Sequence, residues 1–105
     1  MSNQQQQLRE LLINIEIELQ VLRLWDAMAP SMADLSSTQP FAIDTLMPHQ
    51  WLQWIFLPRM HALLDAEANV PSNFSLAPYF EESLKESSTE RLLDLIREMD
   101  ALVKQ

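Results

Sequence analysis

Apolar residues recur with helical spacing along the first quarter of the chain, and they do so twice. Leu8, Leu12, Ile15, Leu19 and Leu22 follow the four-three alternation of a helix seam; Ile13, Ile17, Val21, Leu24 and Met28 follow a second. At ~100° per residue the two stripes lie on nearly opposite sides. Arg9, Glu16, Gln20, Arg23 and Asp26 form a polar strip between them. The pattern predicts one helix over residues 5–28, ended by Pro30. A surface helix needs only one apolar stripe. The second is expected either to be covered within the monomer or to form an interface. In the latter case Ile13, Ile17, Val21 and Leu24 contact a protein partner or a second copy in a homodimer.

Ser31 with Asp34 matches a capping box for one further turn, and residues 36–44 read as extended chain pinned by Phe41 and Ile43. The next helix starts near Met47. Pro48 suits its first position, and Gln50 can reach back to the cap. It runs to about Ala66. Trp51, Leu52, Trp54, Ile55, Phe56, Leu57, Met60, Leu63 and Leu64 point in almost every direction, which predicts a buried, central helix with Trp54 in the core. Pro58 interrupts it, removing a bond to the Trp54 carbonyl at a cost of ~3 kcal/mol and predicting a kink. Arg59, with five donors, is expected to bridge freed carbonyls or to pair with Asp44; its other role is to anchor an anionic ligand or a partner's carboxylate. Asp44, Trp54 and Arg59 are accordingly the candidate ligand-binding residues.

After a loop over residues 69–77, Pro78 opens a short helix to about Lys85, and Ser87 or Ser88 caps the last one, Ser87 with Glu90 matching a capping box. Leu92, Leu95, Ile96, Met99, Leu102 and Val103 give that helix one apolar stripe. The fold class is all-α: a compact bundle of four main helices around a kinked, Trp-rich central helix.

Composition sharpens this. The 105 residues make one domain, with residues 1–4 expected to be disordered. There is no Gly, which disfavours tight hairpins, dinucleotide fingerprints and phosphate loops. Asn and Asp can cover one or two left-handed positions, not the number a hairpin-rich fold needs. There is no Cys, so thiol nucleophiles, disulfides and Cys-based zinc sites are excluded. The net charge of −8 disfavours direct binding to nucleic acid and favours a basic partner surface. No leader pattern or membrane-spanning run is present, so a cytoplasmic protein is expected. His61 and Asp65 lie one helical turn apart, but two ligands do not make a metal site. No metal, cofactor or catalytic residue is assigned.

The ordered motifs STQPF (residues 37–41), DT (44–45), QWLQW (50–54), PRM (58–60) and APYFEE (77–82), with Leu24-Trp25 before them, resemble the YqcC-like family of small bacterial proteins. The resemblance covers most of the chain and implies an all-helical bundle. The family carries a label linking it to tRNA pseudouridine synthase C. Pseudouridine synthases use an Asp nucleophile in a mixed α/β fold and need a basic groove for tRNA. This chain, without glycines or clustered cations, does not present that chemistry. Asp44 before Thr45 is read as a cap or turn residue rather than a nucleophile.

Overall fold

The computed structural model describes residues 3–71, 74–85 and 87–103, the Ser87 side chain excepted. The element order is α1 (Asn3–Val21), α2 (Met32–Leu35), a 3-10 turn (Pro40–Ala42), α3 (Pro48–Trp51), a π turn (Leu52–Phe56), α4 (Leu57–Asp65), α5 (Ala77–Ser83), a second 3-10 turn (Ser87–Thr89) and α6 (Glu90–Val103). The described residues contain no strand. The all-α class predicted by the periodicity is the observed one. No helix among them is long and apolar enough to cross a membrane.

The first helix begins earlier than predicted and ends sooner. Gln4, expected to be disordered, lies in α1 and its amide donates to the Leu102 carbonyl (2.8 Å). At the other end the chain leaves the helix at Val21, well before Pro30. Arg23 takes a left-handed φ of 61°; its N–H donates to the Gln20 carbonyl (3.1 Å) and that of Leu24 to the Leu19 carbonyl (2.8 Å). This is the Schellman pattern that closes a helix. α4 ends the same way, with Glu67 at φ 53° and bonds from Glu67 to Leu64 and from Ala68 to Leu63. Among the described residues of this glycine-free chain the left-handed positions are Arg23, Phe41, Ala42 and Glu67. A side chain there costs ~1–2 kcal/mol, partly offset by the entropy a Gly would lose. Glu67→Gly is therefore expected to stabilise the protein by about 0.5–1 kcal/mol. An unchanged or lower urea midpoint would contradict this account of the helix end.

Of the two stripes on α1, one is core. Leu8, Leu12, Ile15 and Leu19 are buried, and α1 packs chiefly on α6 and then on α4. The stripe of α6 is buried throughout: Leu92, Leu95, Ile96, Met99, Leu102 and Val103. The α1–α6 pair, rather than the Trp-rich segment, is the axis of the core. The cap expected from Ser87 lies outside the described side chains.

The Trp-rich segment packs beside this pair. Its start is as predicted: Met47 precedes the first turn, Pro48 opens it, and the Met47 N–H donates to the Gln50 side chain (2.8 Å). The break at Pro58 takes the form of a π turn immediately before it, in which the Leu57 N–H reaches back five residues to the Leu52 carbonyl. A widened turn relieves the clash between a proline ring and the carbonyl behind it. Pro58, Arg59 and Ala62 are exposed, so the segment is not apolar-buried all round as predicted; it has a solvent edge.

α5 is held by a buried carboxylate from α6. Asp100 accepts from the Leu76 N–H (2.9 and 3.0 Å to its two oxygens) and from the Ala77 N–H (2.8 Å), satisfying the donors at the start of α5. Residues 36–44, expected to be extended, contain instead the 3-10 turn with Phe41 and Ala42 both left-handed at φ 57° and 48°. Phe41 pins this loop as predicted, stacking on Tyr79 (centroids 4.1 Å apart, planes 7°) and meeting Trp51 edge-on (4.8 Å). Ile43 does not: it is exposed.

Candidate functional site

The π turn sets the position of Trp54. Trp54 is the middle residue of this five-residue turn. It is half-buried, not a core side chain, and lies between two open clefts. Its indole N–H is buried without a hydrogen-bond partner among the described residues.

The first cleft, of ≈ 490 Å³, has walls formed by Leu35, Phe41, Trp51, Trp54 and Ile55, with Ser37, Gln39 and Arg59 also lining it. None of its described lining residues is acidic. Arg59 is exposed and makes no hydrogen bond or ion pair among the described residues, so it does not organise the helix break. The π-turn bond beside Pro58 is made within the backbone, and Arg59 falls on the solvent edge of α4. Asp44 does not line the cleft or pair with Arg59. Its carboxylate accepts the Ser37 hydroxyl, and that same Ser37 oxygen accepts the Gln39 N–H (3.1 Å). Of the three candidate ligand residues, two share the cleft; the third positions a residue on its edge.

The second cleft, of ≈ 430 Å³, lies on the other side of Trp54 and includes Glu16, Trp25, Asp26, Pro58 and His61. Here Gln53 clamps the chain beyond the end of α1. It accepts from the Asp26 N–H (2.7 Å) and donates to the Asp26 carbonyl (2.8 Å), while Gln50 donates to the Asp26 carboxylate (3.1 Å). With both backbone groups of Asp26 taken by a side chain, residues 22–28 cannot continue the helix. In the sequence Gln50 was read only as a cap partner and Gln53 was given no contact. The available signal was their three-residue separation within QWLQW, which puts them on one helix face.

His61 and Asp65 are brought together, but by Arg9. Arg9 Nη2 donates to Asp65 Oδ1 (2.7 Å), and Nη1 lies 3.2 Å from His61 Nδ1. A guanidinium can only donate, so Nδ1 accepts and the ring proton sits on Nε2, 3.6 Å from a Glu16 oxygen. These contacts tie α1 to α4. His49 is held below the ordinary histidine range because burial disfavours its charged form, an effect that the Asp26 carboxylate partly opposes.

The proposed interface residues on α1 divide. Ile13, Ile17 and Val21 are exposed by 42%, 52% and 67%. Leu24, beyond the helix end, is half-buried against the core. The stripe that the periodicity left open is therefore uncovered over its helical part.

A family model described as tRNA pseudouridine synthase C matches residues 7–102. An uncharacterized protein of Haemophilus influenzae is 41% identical over 80 residues, covering 76% of this chain and 76% of that protein. Escherichia coli YqcC is 42% identical over 80 residues, covering 74% and 73%. The solution NMR structure of YqcC from E. coli superposes with a TM-score of 0.85 at 35% identity, covering 97% of this chain and 89% of that one. A Pectobacterium carotovorum protein named tRNA pseudouridine synthase C is 43% identical over 72 residues, which is 69% of this chain but only 19% of that longer protein. On the match along nearly its whole length and on the shared fold, the chain belongs to the YqcC-like family.

Proposed function

We propose that this protein is a non-catalytic interaction module whose outer α1 face docks on an enzyme of the tRNA pseudouridine synthase C kind. The observation that carries the reading is the line of Ile13, Ile17 and Val21, three branched apolar side chains left largely in solvent on a helix whose opposite face is core. Burying such a side chain fully contributes ~1.5–3 kcal/mol. The stripe, already part-covered, adds about 3–5 kcal/mol before association costs. That suits a reversible partner. The P. carotovorum relative supports the choice of partner, because there a segment like this one shares a chain with four-fifths of other sequence under that name. Covalent linkage holds two modules at ~mM effective concentration; separate chains need a contact surface of their own. The charge of −8 also suits an enzyme whose surface is basic for tRNA.

The test is calorimetric titration of the purified protein with the separate pseudouridine synthase C of the same host. Binding is expected, and Ile17→Glu with Val21→Glu should weaken it at least ~100-fold without moving the melting temperature; two buried charges opposite an apolar surface cost more than ~3 kcal/mol. Val21 replaces Leu24 in this pair because Leu24 packs on the core. Absence of binding, or equal binding by the double variant, defeats the proposal. If the protein alone forms a dimer that the double variant dissolves, the stripe's occupant is a second copy instead.

A further inference from the structure

The lining of the cleft beside Trp54 carries one cation, Arg59, and no carboxylate, in a chain rich in acid. Fifteen acidic residues outnumber seven basic ones along the chain. Arg9, Lys85, Arg91 and Arg97 each face a carboxylate within 4.0 Å. Arg23 and Arg59 face none among the described residues; of the two, Arg59 lines a cleft with aromatic walls, and none of the described residues lining that cleft is acidic. An arginine left unpaired amid so many carboxylates has its fork of donors free for an anion from outside.

The walls define the rest of the ligand. Phe41, Trp51 and Trp54 offer flat aromatic surface, with Leu35 and Ile55 beside them. The Phe41 ring is held in place by a left-handed backbone at φ 57°, an unfavourable conformation for a phenylalanine, with one face stacked on Tyr79 and an edge-on contact to Trp51. Strained backbone and π turns both concentrate at functional sites, and this cleft is bordered by one of each. The volume of ≈ 490 Å³ falls within the range of small-molecule sites, about 300–1,000 Å³.

We propose that this cleft binds a small monoanionic carboxylate with a flat apolar body. Arg59 takes the carboxylate through two parallel N–H bonds, and the rings of Trp51, Trp54 and Phe41 cover the body. A single guanidinium matches one negative charge. A phosphate dianion would need a second cation, and the lining supplies none. The Ser37 hydroxyl is already committed to Asp44, which leaves the Gln39 amide as the second polar group on the rim. This site is distinct from the α1 stripe and does not depend on it.

The probe is 2-naphthoate, titrated into ¹⁵N-labelled protein and followed by amide and indole N–H shifts. Saturable shifts are expected at residues 37–42 and 51–59, including the Trp54 indole. The neutral 2-naphthamide should bind at least about tenfold more weakly, as should 2-naphthoate to Arg59→Gln, with Arg59→Lys between. Because Arg59 is exposed and makes no internal bond, Arg59→Gln should melt with the wild type; should it not, the Arg59→Lys comparison carries the test. Asp44→Asn removes the carboxylate behind Ser37, one residue back from the cleft lining, and should tighten binding. Equal binding of the amide, indifference to both Arg59 variants, shifts confined to other surfaces, or no saturation overturns the proposal. Tighter binding of naphthyl phosphate than of naphthoate overturns the carboxylate assignment.

Discussion

Phe80→Ala lowers the unfolding free energy by about 3–5 kcal/mol, a large part of the 5–15 kcal/mol typical of a domain. Phe80 heads the fully buried side chains by volume. It projects from α5 and meets Phe41 edge-on at 6.2 Å and Trp51 at 6.2 Å, so its removal opens a cavity where three separate parts of the chain converge. The surrounding rings cannot collapse into the space, since Phe41 is fixed by its backbone and Trp51 stacks on Phe56 at 5.3 Å. Phe80→Leu, which keeps most of the apolar volume, loses less. Urea unfolding at constant slope measures both. A loss below ~1 kcal/mol for the alanine variant would mean that α5 is not part of the cooperative core.

Asp100→Ala costs about 3 kcal/mol, because it leaves the Leu76 and Ala77 N–H groups buried with no acceptor, each at ~1–3 kcal/mol. Asp100→Asn keeps one acceptor oxygen and recovers about half. The loss is local before it is global: amide exchange at residues 76–80 should accelerate in Asp100→Ala more than exchange within α1. Uniform acceleration across the molecule would show that the carboxylate supports the α1–α6 core rather than α5. An interaction this strong was not visible in the chain, where Asp100 falls at the margin of the α6 apolar stripe. Its partners lie 23 and 24 residues away.

The candidate site shows the same division. The aromatic block and its proline were conspicuous, and they do surround the first cleft. Arg59 was conspicuous too, but it makes no bond at the break, where the Leu57 N–H reaches back to the Leu52 carbonyl within the backbone. Asp44 looked equivalent to Arg59 and is instead bound to Ser37, a contact across a loop whose left-handed turn at Phe41 and Ala42 has no glycine to announce it.

Helix identity, the core face of α6, the Met47–Gln50 cap and the all-α class were readable from the residues alone. Each depends on side chains three or four positions apart, which a helix brings together whatever surrounds it. Where α1 stops was not readable, because an amide from Gln53 captures the backbone of Asp26 from 27 residues away. Which of the two α1 stripes is covered was not readable either. Periodicity gives the directions in which apolar side chains point; whether anything lies in those directions depends on how α4 and α6 dock, and they dock on one side.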